Sequence, residues 1–227
     1  MSFEFKQFTV RQERCAMKVG TDGVLVGSWA EVPHVTGGEV TVLDVGTGTG
    51  VIALMMAQRY EEARVTALDI DEGAAMQAQE NVAASPFATR IEVKQESVQQ
   101  HEGLYDAVVS NPPFFIDALS APDAQRNIAR HAQTLTYREL MEAAWRLLKD
   151  DGELSVVVPF DYRKRMEDEA IIRGFFPSRV SAVRTTDRKP PKRFLLAFRK
   201  HPCTCRQEEM TIGDERYQAL TGDFYLY

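Results

Sequence analysis

From position 40 onward, short runs of apolar and β-branched residues alternate with longer stretches in which apolar positions recur every three or four residues. That alternation predicts an α/β chain of crossover units on a mostly parallel sheet. Strands are expected at 40–45, 64–69, 90–94, 105–110, 153–158, about 178–184 and 193–199, seven in all, with helices near 49–60, 72–84, 136–149 and 161–174. The helix after residue 135 is the best marked: Thr136 and Glu139 form a capping box, Leu140, Ala143, Ala144, Leu147 and Leu148 make one stripe, and Gly152 follows its end. Only a polar turn, 187–191, separates the last two strands; it is too short for a crossover, so they must pair antiparallel as a hairpin. Residues 1–39 read as a lid, with a hairpin, a helix over 21–30 whose N-cap is Thr21, and a loop at 33–38, ahead of a main domain at 40–227. The tail from 203 reads as a short strand, a helix and an aromatic end.

Composition narrows the class. At 227 residues, 44% hydrophobic and 26% charged, the chain can bury a full core and is neither disordered nor of low complexity. It has no apolar run of about 18 residues, so no membrane span is expected. Glu4 and Lys6 interrupt the first ten residues, which is unlike a secretory signal and points to the cytoplasm. Cysteines at 15, 203 and 205 are an odd set, and the Cys203–Cys205 pair lacks a second pair of ligands, so no disulfide framework and no metal are expected. His131, just ahead of the capped helix, reads as a structural or loop residue. With a net charge of −6, a polyanionic partner would have to be met by a local patch.

The candidate chemistry begins at the first predicted strand, which runs through Asp44 and Val45 into Gly46-Thr47-Gly48-Thr49-Gly50 and then a helix. Glycines there let the backbone pass close to a ligand, and the helix start offers free amides. The third glycine falls one residue too early for the dinucleotide fingerprint, and an acid ahead of the first glycine suits a cationic ligand better than a pyrophosphate. One crossover later the next strand ends in Asp69, placed to accept the hydroxyls of a ribose, with Ile70 beside it. Asp71 reads as a helix N-cap. A nucleoside carrying positive charge fits these features together.

The stretch from Asp44 to Gly50, with Asp69 and the closing hairpin, resembles the class I S-adenosylmethionine-dependent methyltransferases, in which this loop is motif I. The resemblance implies a Rossmann-like, seven-stranded sheet with an antiparallel terminal hairpin, and S-adenosyl-L-methionine held by Asp44, Gly46, Gly48, Gly50, Asp69 and Ile70. Relatives often place an Asp after the third strand to meet the adenine amino group. Here Ser97 takes that position, with Glu96 as the alternative.

After the fourth strand, Asn111-Pro112-Pro113-Phe114 resembles the Asn-Pro-Pro-aromatic motif of amino methyltransferases. The prolines remove two backbone donors while fixing their carbonyls in space. An exocyclic amine is a poor nucleophile because its lone pair is delocalised into the ring. Acceptors on both of its hydrogens, the Asn111 side-chain oxygen and the Pro112 carbonyl, would make it more tetrahedral and aim it at a methyl group, with Phe114 stacking on the ring. Such catalysis is alignment and electrostatic preorganisation. The tetrad alone leaves adenine, a protein glutamine amide and the amino group of guanine open as acceptors, and a non-catalytic cofactor- or RNA-binding module is the reading outside enzymes.

Two further stretches, Arg14 to Leu25 and Ala219 to Tyr225, resemble the bacterial tRNA adenine-N6 methyltransferases that modify adenine 37 of a valine tRNA. The resemblance covers the chain nearly end to end and implies a tRNA substrate, with Lys18 and Thr21 on the cofactor side of the lid. The short N-terminal extension favours it over the glutamine and guanine enzymes, which usually carry a larger N-terminal domain. Positive surface is expected from the hairpin, where Arg184, Arg188, Lys189, Lys192, Arg193, Arg199 and Lys200 face the single acid Asp187; of these Arg188, Lys189, Lys192 and Arg193 are the candidate phosphate contacts. Phe115 could stack on a loop base. Arg163-Lys164-Arg165 reads as a solvated helix face neutralised by Glu167, Asp168 and Glu169, and the protein is expected to be a monomer.

Overall fold

A computed structural model describes residues 2–15, 17–33, 39–113 and 135–226. Phe114, Phe115, His131 and the loop expected at 33–38 fall wholly or mostly outside these residues. The hairpin β1 (Ser2–Glu4) and β2 (Thr9–Arg11) and helix α1 (Thr21–Trp29) precede the alternating units β3 (Val40–Val45), α2 (Val51–Arg59), β4 (Ala63–Asp69), α3 (Glu72–Ala83), β5 (Ile91–Gln95) and β6 (Tyr105–Ser110). Then follow α4 (Tyr137–Leu147), β7 (Leu148–Pro159), α5 (Arg163–Arg173), β8 (Phe176–Arg184), β9 (Arg193–Arg199), β10 (Arg206–Thr211) and α6 (Glu215–Thr221).

The large sheet has the order β10-β8-β9-β7-β6-β3-β4-β5, and only β9 runs against its neighbours. Crossovers therefore deliver the ends of β3, β4, β5, β6 and β7 to one carboxyl edge, where open α/β sheets bind ligands. The sheet has eight strands rather than the expected seven: β10 pairs parallel with β8 and covers the hairpin, so the hairpin is internal to the sheet. Its sequence, Arg-Gln-Glu-Glu-Met-Thr, shows almost no apolar alternation because it is an edge strand with charged side chains in water.

Two other boundaries differ from expectation. β7 starts at Leu148, directly behind α4, and Gly152 lies inside the strand instead of stopping the helix. A side chain at Gly152 would meet Leu148 Cδ1 at 2.8 Å and the Asp106 carbonyl at 2.9 Å, so close approach is the reason for this glycine. The N-cap of α1 is Gly20, with Thr21 as the first helical residue. The capping box of α4 is present, as is the Asp71 cap of α3, whose carboxylate accepts from Ala74 N at 2.8 Å.

Alternate strand residues feed two cores. On one face Val42, Val65, Ala107, Val109 and Val157 pack with α1, α2 and Phe5, Phe8 and Val10 of the N-terminal segment, so that segment shares the core of the main domain through its hairpin and α1. On the other face Leu43, Leu68, Val108 and Val156 pack with α4 and α5. A buried charge cluster also ties the N-terminal segment to the hairpin: Arg179 binds Glu153 at 2.8 Å and Glu31 at 3.0 Å and lies 3.9 Å over the Trp29 ring.

Candidate active site

The glycine corner is built from backbone bonds. Gly46 N and Thr47 N both donate to the Leu68 carbonyl, at 2.9 and 2.8 Å, and Gly50 N donates to Thr47 O at 2.9 Å. Gly48 and Gly50 have φ of +57° and +83°, a region that favours residues without a side chain. The two serve different ends. An added Cβ at Gly50 would touch Ala78 Cβ at 3.3 Å, whereas one at Gly46 or Gly48 would meet nothing within 4 Å and would stand in open space. Asn81, almost fully buried and not singled out by its sequence context, clamps the corner from behind: its Nδ2 donates to Thr49 O and Arg11 O, each at 2.8 Å, and its Oδ1 accepts from Arg11 N at 2.8 Å.

Asp44 sits under this corner, 0% exposed. Its Oδ2 accepts from the Thr47 hydroxyl at 2.5 Å and from Ala53 N at 3.1 Å, and Oδ1 has no hydrogen-bond partner among the described residues. Burial, with the Asp69 carboxylate nearby, pushes its pKa up to about 7. Asp69 closes the corner from the next strand, accepting from Gly48 N at 2.8 Å and from Asp71 N at 3.0 Å, and burial raises its pKa too. Ile70 beside it is 57% exposed, an apolar surface held at the mouth of the corner.

The N-terminal segment runs along α3 toward the same place. Arg14 N donates to Gln77 Oε1 at 3.2 Å, and Cys15 lies close enough to Asp69 and Asp71 for their charges to add to burial in raising its pKa to about 11. Lys18 is exposed, with its ammonium on the Gln12 carbonyl, and Thr21 is half-buried at the start of α1. Past β5, Glu96 N donates to Asp69 O at 3.0 Å, while Glu96 Oε2 lies 2.9 Å from His101 Nδ1 and His101 Nε2 lies 2.7 Å from the Tyr105 hydroxyl. Ser97 is engaged in its own turn: its carbonyl accepts from Gln100 N and His101 N, and its hydroxyl contacts Gln99 Oε1 at 2.5 Å.

The proline corner stands beside the glycine corner by strand register. Ser110 is paired with Val45, so Asn111 and Gly46 are the next residues on neighbouring strands. Pro112 and Pro113 cannot donate, which ends the ladder there. Asn111 Oδ1 is buried without a hydrogen-bond partner among the described residues. A buried acceptor left open is unfavourable by about 1–3 kcal/mol and persists where a ligand donor completes it. Together the open cradle, the two carboxylates, the exposed Ile70 and this waiting acceptor fit a cationic adenosyl donor with an amine acceptor at its side.

The basic hairpin is less free than its sequence suggests. Arg193 pairs with Asp22 on α1, Arg199 with Glu153 at 2.9 Å, Arg184 with Glu209 at 2.9 Å, and Lys200 reaches Asp150 at 3.5 Å. Arg193 is therefore held by α1 and is no open phosphate contact. Arg188, Lys189 and Lys192 are exposed, and their side chains have no ion pair among the described residues. Since β8 runs parallel to β6, this turn opens at the same edge as Asn111. Arg163 and Lys164 are neutralised by Glu167 and Asp168, at 2.9 and 2.7 Å, as expected. Among the described residues no group of three His, Cys, Asp or Glu could hold a metal, and no helix is long and apolar enough to cross a membrane.

The methyltransferase small domain family matches residues 26–186. A protein of Agrobacterium tumefaciens described as a predicted O-methyltransferase shares the fold with a TM-score of 0.66 at 17% identity, over 89% of this chain and 96% of its own. The ribosomal protein L11 methylase of Lactobacillus delbrueckii subsp. bulgaricus follows at 0.53 and 21%, over 79% and 78%. Fold and corner thus define the class: a class I methyltransferase, whose methyl donor is S-adenosylmethionine. Along 99% of its length the chain is 45% identical to the tRNA1(Val) (adenine(37)-N6)-methyltransferase of Bacteroides thetaiotaomicron and 47% identical to that of Phocaeicola vulgatus, covering 97% of each. The chain belongs to this family of tRNA adenine-N6 methyltransferases.

Proposed function

We propose that this protein transfers the methyl group of S-adenosylmethionine to N6 of adenine 37 in a valine tRNA. The Asn111 Oδ1 beside the glycine corner, buried and without a hydrogen-bond partner among the described residues, carries the reading, since it is the acceptor that one N–H of an adenine amino group would complete. The Pro112 carbonyl takes the second N–H. Both bonds draw the nitrogen lone pair out of conjugation and hold it toward the corner; fixed acceptors of this kind accelerate a reaction without a strong base. Phe114 and Phe115 are the residues assigned to stacking on the base, a role that rests on sequence alone.

When bound, the cofactor supplies an electrophilic methyl carbon on a positively charged sulfur. Gly46 and Gly48 leave room for it, Asp69 accepts from its ribose, and Ile70 covers its adenine. Glu96 is better placed than Ser97 to meet the adenine amino group, because Ser97 is spent on its own turn and Glu96 is held by His101. Lys18 and Thr21, in the N-terminal segment that packs on this domain, complete the cofactor side in this reading. An already unpaired anticodon-loop base can be turned into such a site for less free energy than a base in a duplex.

The test is labelled methyl transfer onto tRNA that lacks the modification, followed by nucleoside mass spectrometry and mapping by fragments. N6-methyladenosine at position 37 is expected; label on guanine, on protein or nowhere would overturn the reading.

A further inference from the structure

The strand next to β6 ends in an exposed aromatic that lies in no recognised motif. β7 leaves the sheet at Pro159, and Phe160 follows with 50% of its surface exposed. Single exposed apolar side chains are common on a protein surface, and what distinguishes this ring is its place at the ligand-binding edge beside the exposed cations of the hairpin turn. The ring is held in place: Phe160 N donates to the Lys192 carbonyl at 3.0 Å, and its ring centroid lies 5.9 Å from that of Phe194, over which the Arg163 guanidinium sits at 4.3 Å. Backbone hydrogen bonding thus fastens Phe160 to the turn that carries Arg188, Lys189 and Lys192.

Register fixes its place relative to the reacting corner. Ser110 pairs with Val156, which sets Asn111 level with Val157 and Phe160 three residues farther along, about 10 Å at ~3.3 Å per residue. From these facts we infer that Phe160 is a stacking platform for an unpaired nucleotide neighbouring the target base, with Arg188, Lys189 and Lys192 holding the phosphates that flank it. An acidic peptide would satisfy the cations and leave the ring without a flat partner; an apolar protein surface would cover the ring and bury three charges that have no ion pair among the described residues. Single-stranded RNA offers both a π-face and phosphates at the spacing of successive nucleotides.

The inference rests on the tRNA reading above, and the experiment separates the two. A valine-tRNA anticodon stem-loop is made with 2-aminopurine at each nucleotide flanking the target adenine in turn. Wild-type protein is expected to quench the fluorophore at one of these positions. Phe160→Ala should abolish that quench and raise KM for the stem-loop roughly 5- to 100-fold, Phe160→Trp should restore both, and Phe160→Leu, which keeps apolar bulk without a π-face, should not. Phe176→Ala removes an exposed ring at the opposite edge and should match wild type, while cofactor binding and thermal melting of every variant report on folding. A quench that persists in Phe160→Ala, or a Phe160→Leu protein equal to wild type, would overturn the platform while leaving methyl transfer by the wild type intact. Failure of the wild type to methylate the stem-loop or the whole tRNA overturns the tRNA reading and the platform with it.

Discussion

The Ser110 hydroxyl donates to the Val45 carbonyl at 2.8 Å, joining the residue before Asn111 to the residue before Gly46. The glycine and proline corners are thus locked to each other at their roots, inside the buried centre of the sheet. Ser110→Ala should lose about 1 kcal/mol of stability and also let Asn111 drift from the corner. The expected sign is a fall in kcat with cofactor affinity unchanged; a stability loss with kcat unchanged would show that the bond serves folding only.

In the reaction proposed above, Asn111→Ala removes one of the two amine acceptors. Loss of a preorganised hydrogen-bonding group of this kind lowers turnover by about 10²–10³-fold, while calorimetric affinity for S-adenosylmethionine should stay within about twofold of wild type. Joint loss of turnover and cofactor binding would count against the role given to this side chain.

Two of the three positive-φ glycines of the corner, Gly48 and Gly50, should part company. Gly48→Ala and Gly50→Ala each force a side chain into left-handed backbone, at about 1–2 kcal/mol. Only at Gly50 does the new methyl also press on Ala78, and only at Gly48 does it enter open space at the ligand side. Gly50→Ala should therefore show the larger drop in melting temperature and Gly48→Ala the larger drop in cofactor affinity. The reverse order would relocate the cradle.

Asp44 makes stability pH dependent. Its pKa is about 7 in the folded protein against an ordinary aspartate value when unfolded, so the native state binds the extra proton between those limits. Its contribution is full at acid pH and is lost as pH rises through about 7. Urea denaturation at pH 5, 6, 7 and 8 should show stability declining across that window, and Asp44→Asn should flatten the decline, with a remainder from Asp69, whose shift has the same sign. Equal slopes in mutant and wild type would refute this assignment.

Charge removal at the hairpin should be selective. Arg188→Ala, Lys189→Ala and Lys192→Ala together should weaken tRNA binding and reduce the slope of log K against log salt by about 2. Arg193→Ala should leave that slope nearly unchanged and instead lower the melting temperature by freeing α1. A slope change for Arg193 alone would return it to the RNA surface.

Local chemistry wrote much of this molecule plainly. The ends of β3, β6 and β9 fall where alternating apolar runs stop, and Thr136 with Glu139 and Asp71 announce two helix starts through short-range hydrogen bonds. The positions of Asp44, Asp69 and Asn111 at the carboxyl edge were legible because Asp44 lies one residue before the end of β3, Asp69 ends β4 and Asn111 follows β6. What escaped depends on partners far away in the chain. Four of the seven hairpin cations are neutralised by Asp22, Glu153, Glu209 and Asp150, pairings that no local window contains. Asn81 carries its meaning in bonds to Arg11 and Thr49, and β10 is recruited by the β8 ladder without an apolar pattern of its own.

The reversal of β9 shapes what the enzyme can present to a long polymer. A parallel successor to β8 would send the chain straight off the reactive rim and down a helix on one flank. By doubling back, it plants a stubby two-ribbon pier on that rim, stiffened on both sides by β7 and β10. The turn between β8 and β9 is therefore tied into the sheet, and its distance from Asn111 is set by the strand pairings themselves.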